Sequence, residues 1–438
     1  MRGDARGPGD LRPGHVVEAV IEKAVYRGRG LGRVEGRVLL VPRAHAGDRV
    51  RARIGAVHAG WAAGTLVEVI EAAPERRGSP CPYVPRCGGC AYQDLGYEAQ
   101  LRTKESVLRE SLARAGAPWE GPVAVHPSPE TGWRLRASLH FAPGEGGTRL
   151  GLRQEGTRRV VDVLACLQLS DRMNRAARAL RDVVAARPAL AARLRGLDLL
   201  ESPDGGTLLA TLETDLLPHE VPSLAPPMAD GPGLDGLGVR TGRRLHWLHG
   251  TPFVDAKVLG VHLRAHARSF FQTNRFLLEP LARTVVDLVP AGDGRVIDLY
   301  AGVGLFALPL AMRGERDVLA VEWAPSAAED ARWNAIHNAL PAVRVVESGV
   351  GEALAAAGPG RGERVVLDPP RTGAGPEVVG LVAQREPAAV VYVSCDPPTL
   401  GRDLVAFAAR GYRPDTVHLF DLFPDTFHME TVVRLRPS

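Results

Sequence analysis

The stretch Val296–Ala307 reads VIDLYAGVGLFA. A short apolar run carries an acid at 298, glycines follow at 302 and 304, and Ala307 completes a G-x-G-x-x-A pattern. This order predicts a strand, a tight loop and a helix, the opening unit of a doubly wound sheet. Working outward, Val318–Glu322, Val343–Glu347, Val365–Asp368 and Val390–Ser394 repeat the short apolar run, with helical stretches between several of them. The alternation predicts an α/β domain built on a parallel sheet. Ligands of such sheets bind beyond the carboxyl ends of the strands. Asp298, Glu322, Asp368 and Cys395 lie in or at the ends of four runs, which sets reactive side chains along one rim.

The loop glycines let a backbone approach its ligand closely, and Glu322, 18 residues beyond Gly304, can accept two ribose hydroxyls. Alone, the pattern fits a nicotinamide dinucleotide as well as S-adenosylmethionine, or glycines that only shape a turn. Asp298 before the loop and Asp368-Pro369-Pro370 at a later strand end favour S-adenosylmethionine, as in methyltransferases that bind it. Arg371 stands where enzymes methylating exocyclic amines carry an aromatic residue, and Asp-Pro-Pro also reads as a stiff strand exit.

Cys395 follows the run Val390–Val393, within Ser394-Cys395-Asp396-Pro397. A lone cysteine at a strand end is more often a small buried hydrophobe than a nucleophile. Beside a methyl donor the balance reverses. Carbon 5 of uracil is too weak a nucleophile for a methyl sulfonium, and a thiolate added at carbon 6 turns the ring into an enolate that is strong enough. The carbon 5 proton then needs a base, for which Glu430 and His428 are the candidates; either also reads as the partner of an arginine.

The 438 residues allow two to four domains. A charged fraction of 24% with 45% apolar residues fits a folded soluble chain, and no run approaches the roughly 18 apolar residues of a spanning helix. Arg2, Asp4, Arg6 and Asp10 do not read as a secretory signal, so the expected location is cytoplasmic. Residues 1–80 hold 14 Lys or Arg against 9 Asp or Glu, and the remainder 40 against 41, so the basic excess lies at the start. There, His15–Ile21, Arg37–Val41, Asp48–Val57 and Thr65–Ala72 alternate near period two between glycines, predicting a small β-barrel of the oligonucleotide-binding kind. A helix over 95–115 carries Leu101, Leu108 and Leu112 on one stripe with charges elsewhere, strands follow over 134–164, a helix starts near Asp171, and 219–242 reads as loop. Cys81, Cys87, Cys90 and Cys166 have the spacing C-x5-C-x2-C and a distant fourth thiol, which suits zinc or an iron–sulfur cluster, with spacing alone leaning to zinc.

Phe271-Gln272-Thr273-Asn274, the Asp298–Phe306 loop, Asp368-Pro369-Pro370-Arg371, Ser394-Cys395-Asp396-Pro397 and Pro424, Thr426, His428 and Glu430 together resemble the uracil-5-methyltransferases of RNA, in that family's order. The first segment resembles a TRAM domain, an RNA-binding barrel, through Gly30, Gly32, Gly36, Arg37, Val38, Val41, Pro42, Gly47, Asp48 and Val50. The resemblance spans nearly the whole chain, with residues 180–250 the least distinctive. It implies a Rossmann-like S-adenosylmethionine-dependent methyltransferase domain over 256–438, a TRAM-like barrel over 12–74, and between them, over 75–255, an α+β part carrying the metal cluster. It further implies that Cys395 is the nucleophile, that Glu430 is the base, and that Gln272, Tyr300, Glu322 and Asp368 line the S-adenosylmethionine site. Cys81, Cys87, Cys90 and Cys166 would hold a 4Fe-4S cluster, and Tyr97, Gln100, Leu101 and Lys104 would lie on a helix packed against the catalytic domain. Gly349 departs from relatives that place a polar residue near the adenine. The expected substrate is a uridine in 23S ribosomal RNA, with the T-loop of transfer RNA as the alternative and no obligate protein partner. Arg134 and Arg136 are candidates for touching the RNA or are solvated strand residues. A non-catalytic RNA-binding protein and a nicotinamide-dependent iron–sulfur oxidoreductase are the readings from other classes.

Overall fold

The computed structural model describes residues 11–144, 147–216, 219–221, 233–358, 360 and 362–438. The first segment closes into a barrel of β1 (Val16–Val25), β2 (Arg29–Val34), β3 (Arg37–Pro42), β4 (Arg49–Val57) and β5 (Trp61–Glu71), in the order β1-β2-β3-β5-β4. Inward-facing Ile21, Leu39, Val41, Val50 and Ile54 fill it, as the two-residue period of a strand requires. Sequence pattern alone misses β2, because its glycines look like punctuation. Gly30 belongs in the ladder for a steric reason: a Cβ there would lie 2.2 Å from the Ala44 carbonyl oxygen. The barrel's positive charge is partly cancelled where it is densest. Arg49 pairs with Glu18 and Glu71, and Arg51 with Glu18 and Glu68, across neighbouring strands.

Beyond the cysteine stretch come α1 (Tyr97–Ala115) and β6 (Val123–His126). A seven-stranded sheet then forms from β7 (Arg136–Gly144), β8 (Gly147–Arg153), β9 (Val160–Asp162), β10 (Leu194–Glu201), β11 (Leu208–Thr214), β12 (Gly236–Thr241) and β13 (Arg244–Gly250), ordered β13-β12-β11-β10-β7-β8-β9. The helix Asp171–Ala185, capped where Ser170 Oγ accepts from the Met173 N–H, lays Met173, Ala176, Leu180 and Val184 in the core under this sheet. Of the expected loop over 219–242, residues 222–232 lie outside the described residues and Gly236–Thr241 is a strand. Its glycines lie under the Trp247 ring, 2.6 Å from where a Cβ at 236 or 238 would stand, so they serve packing and not a turn. β14 (Phe253–Val258) and β15 (Val261–His266) form a separate hairpin.

The last third builds β16 (Val296–Leu299), β17 (Val318–Glu322), β18 (Val343–Glu347), β19 (Arg364–Leu367), β20 (Ala389–Ser394), β21 (Tyr412–Phe420) and β22 (Glu430–Pro437). Its sheet runs β18-β17-β16-β19-β20-β22-β21-β6, with β16 to β20 mutually parallel and β22 antiparallel to both β20 and β21. β6 completes the edge, parallel to β21. Apolar layers cover both faces, as near-continuous apolar strands demand. Among the described residues, no helix is long and apolar enough to cross a membrane.

α1 packs against the helix Pro397–Ala408; a Cβ at Gly401 would stand 2.6 Å from that of Ala115. Its buried stripe holds Leu101, Leu108 and Leu112 as expected, yet also Gln100 and Lys104. Lys104 is fully buried because its ammonium meets the equally buried Asp421 and donates to the Phe423 carbonyl at 3.0 Å. Gln100 donates to Asp425 Oδ1 at 3.0 Å and accepts from the Asp425 N–H at 2.9 Å. The charge that a helical wheel assigns to solvent is thus a strut under the loop 421–429. Removing one partner of a buried ion pair strands the other, so Lys104→Ala is expected to cost about 3–5 kcal/mol, read as a lowered urea midpoint; a loss below about 1 kcal/mol would contradict the strut.

Candidate active site

The site grows from three strand ends in register. β19 neighbours β20 with Leu367 opposite Tyr392, and β20 neighbours β22 with Ser394 opposite Thr431. One residue further along, Cys395 lies level with Glu430, while Asp368 follows Leu367 two residues short of Cys395 along β20, so the three side chains share one rim without sharing one level. Ser394 and Asp396 brace the thiol: the Asp396 N–H donates to Ser394 Oγ at 3.3 Å, and Asp396 Oδ1 accepts from the Thr399 N–H at 3.1 Å, capping the helix Pro397–Ala408. Cys395 therefore stands just before a helix N-terminus, where the dipole favours a thiolate.

Opposing effects act on that thiol. Burial, then the negative charges of Glu430 and Asp368, push Cys395 up to about 12, while the Arg371 guanidinium pulls it down. Glu430 is 5% exposed, and burial, then Asp368, hold its carboxyl well above the usual range, against Arg371. Asp368, enclosed by protein at its carboxyl, is raised to about 7 by burial, then Glu322. Burial thus favours protons on this rim, and the charge of Asp368 acts on both Cys395 and Glu430. His428 is driven down to about 4, chiefly by burial and next by Arg371, so it is neutral at physiological pH. Arg371, quoted in the sequence motif without a role, is the cation that both Cys395 and Glu430 feel; only spatial proximity shows this.

The glycine loop forms the other half. Asp298 Oδ2 accepts from the Ala307 N–H at 2.9 Å, tying β16 to the following helix. Tyr300, Gly302 and Gly304 all take positive φ, at 66°, 57° and 94°. Glu322 accepts from the Gly302 N–H at 2.8 Å and from the Ala324 N–H at 2.7 Å, one bond per oxygen, so each oxygen keeps a lone pair for a ligand. Beside it opens a cleft of about 320 Å³ lined by Tyr300, Val321, Trp323, Gly349, Val350 and Leu381. At Gly349 a Cβ would meet nothing within 4 Å, so the backbone there is open to the cleft. Gln272 is 6% exposed, in a segment fastened to the middle part by the Leu135 N–H to Thr273 carbonyl bond at 2.7 Å.

Cys81, Cys87, Cys90 and Cys166 converge on one small cavity with Tyr83 and Leu152. Gln168 Nε2 donates to Cys90 Sγ at 3.0 Å and the Gly89 N–H to Cys87 Sγ at 3.4 Å. Arg134 is not a solvated strand residue: its Nε donates to Gln168 Oε1 at 2.8 Å and it lies within electrostatic reach of Cys166, Cys90 and Cys87. Arg136 likewise turns inward, onto the Ala267 and Ser269 carbonyls. Among the described residues, no three His, Cys, Asp or Glu side chains are grouped as ligands of a single metal ion.

Residues 96–359 and 360–437 match the family described as tRNA (Uracil-5-)-methyltransferase, and residues 10–67 match the TRAM domain. The chain belongs to the tRNA (uracil-5-)-methyltransferase family. This RNA (uracil-5-)methyltransferase is 34% identical to the 23S rRNA (uracil(1939)-C(5))-methyltransferase of Pseudomonas putida, over 94% of this chain and 92% of that one. It is 32% identical to an uncharacterized RNA methyltransferase of Gloeobacter violaceus, over 98% of each. Among solved structures it superposes on the Pyrococcus abyssi tRNA (uracil-54, C5)-methyltransferase in complex with S-adenosyl-L-homocysteine, with a TM-score of 0.73, 27% identity and coverage of 95% and 99%. The expected fold holds: the S-adenosylmethionine-dependent methyltransferase fold with an N-terminal TRAM barrel.

The mutual electrostatics of the rim is open to measurement in the methyltransferase. Asp368→Asn removes a negative charge that raises Cys395, so the pH profile of Cys395 alkylation by iodoacetamide is expected to move to lower pH. An unmoved profile would show that the two side chains do not sense each other.

Proposed function

We propose that this methyltransferase acts on carbon 5 of a uridine in 23S ribosomal RNA through a covalent bond from Cys395. The observation that carries the reading is the register that sets Glu430 beside Cys395, with Asp368 near enough for its charge to act on both. S-adenosylmethionine, when bound, supplies an electrophilic methyl group and leaves as S-adenosylhomocysteine. The Cys395 thiolate adds to carbon 6, and the ring electrons displaced toward carbon 5 take the methyl group. Glu430, as carboxylate, removes the carbon 5 proton; that electron pair restores the carbon 5–carbon 6 double bond and expels the thiolate. The base inverts the bias of its own site, since a carboxyl raised by burial takes a proton more readily than a solvated one. Arg371 offsets the negative charge that Cys395 and Glu430 share.

Glu322 would take the ribose hydroxyls, Tyr300 would flank the adenine in the cleft it lines, and Asp368 and Gln272 would complete the donor's pocket. The barrel would grip RNA, and the target base would leave its stack to reach the thiol. Similarity over nearly the full length to a 23S enzyme favours ribosomal RNA, and the tRNA enzyme among solved structures keeps the T-loop as the second reading. The proposed division is residues 12–74, 75–255 and 256–438, with α1 and β6, from within the middle range, packed on the catalytic body.

For Cys81, Cys87, Cys90 and Cys166 we favour a 4Fe-4S cluster over zinc. The four cysteines line one cavity, as the resemblance to the family's 4Fe-4S site implies. N–H donors on Cys90 and Cys87 and the nearby Arg134 suit a negatively charged cluster. Anaerobically purified protein is expected to hold iron and acid-labile sulfide in equal amounts and to lose both in Cys166→Ser; zinc without sulfide would overturn this.

Labelled methyl groups are expected to pass to undermethylated 23S RNA far faster than to transfer RNA, and Cys395→Ala to abolish transfer to both. Faster transfer to tRNA would reassign the substrate. Because Cys395 and Glu430 must both lose protons, the rate should climb from neutral toward alkaline pH, and a rate that falls over that range would contradict both roles.

A further inference from the structure

The barrel reaches the chemistry directly. Tyr26, just beyond β1, donates its hydroxyl to Asp396 Oδ2, across 370 residues of sequence. Asp396 is the residue after Cys395, and its other carboxylate oxygen caps the helix Pro397–Ala408 at Thr399. The same tyrosine ring stands edge-on to Phe427, with centroids 6.3 Å apart and planes at 86°. Phe427 in turn lies 4.1 Å from His428, two residues before Glu430. Gly28 closes this contact, since a Cβ there would stand 3.1 Å from that of Phe427. One side chain of the barrel therefore touches both the cap beside the nucleophile and the loop that delivers the base.

We propose that Tyr26 is a positioning residue for methyl transfer, holding the Asp396 cap, and through it the Cys395 backbone, in the attacking geometry. The inference rests on Cys395 being the nucleophile. Its physical basis is that Cys395 follows β20 on one side and precedes the Asp396 cap on the other. A carboxylate held at one oxygen can swing about its terminal torsion; held at both it cannot. Small displacements of an attacking atom cost rate steeply, while leaving RNA affinity untouched. The TRAM barrel is then part of the active site's frame as well as a grip on RNA.

The test uses the full-length protein, S-adenosylmethionine and a 23S RNA fragment carrying 5-fluorouridine, whose fluorine cannot leave as a proton and so traps the adduct. Tyr26→Phe keeps the ring on Phe427 and removes only the hydroxyl. Its maximal rate of adduct formation at saturating RNA is expected to fall about tenfold, with the Kd for RNA unchanged. Tyr26→Phe added to Asp396→Ala should slow the reaction little further than Asp396→Ala alone, because the hydroxyl acts through that carboxylate. A wild-type maximal rate in Tyr26→Phe, a defect confined to Kd, additive losses, or slowing that follows a lowered melting temperature would each overturn the inference. A wild-type protein that forms no adduct would instead overturn the nucleophile assignment itself, together with this inference.

Discussion

Three groups that water would keep apart in protonation are forced together by sheet register. Asp368, Cys395 and Glu430 sit at neighbouring strand ends, where burial raises the proton affinity of all three, Asp368 adds to that of Glu430, and both carboxylates add to that of Cys395. The rest of the molecule is arranged around that constraint. The antiparallel insertion of β22 between β20 and β21 brings Glu430 beside Cys395, which parallel strands alone would not do. Lys104 and Asp421, Gln100 and Asp425, and the positive φ of 65° at Asp425 hold the loop that ends in Glu430. Arg371 supplies a cation that lowers both Cys395 and Glu430.

The parallel strands were legible in sequence because each is a short apolar run, with Glu322, Asp368 and Cys395 at or just beyond the ends of three of them. Long-range pairing was not. β6 is separated from β21 by almost the whole catalytic chain, and no local pattern marks an edge strand contributed from so far away. β2 and β12 were hidden by glycines whose purpose is close packing, against the Ala44 carbonyl and the Trp247 ring, and glycine gives the same sequence signal for a turn. Lys104 reads as a solvent-facing charge on its helix until Asp421 is placed opposite.

The basic excess of the first 80 residues also changes meaning. Arg49 and Arg51 spend their charge on Glu18, Glu68 and Glu71, and Arg76 spends its charge on Asp48 and Asp94. Composition counts those arginines toward an RNA footprint, whereas the structure uses them to hold the barrel and its junction with the cysteine stretch. What the barrel brings to the active site is a neutral hydroxyl, Tyr26, which no charge count could reveal.

The covalent route is tested most directly by stopping it after methyl transfer. Glu430→Gln keeps the shape of the site and removes the base, so unmodified target RNA and S-adenosylmethionine should leave a methylated nucleotide bonded to the enzyme. Mass spectrometry after protease and nuclease digestion is predicted to find that adduct on the peptide containing Cys395. Methylated RNA released at the wild-type rate, or an adduct on any other residue, would contradict the account.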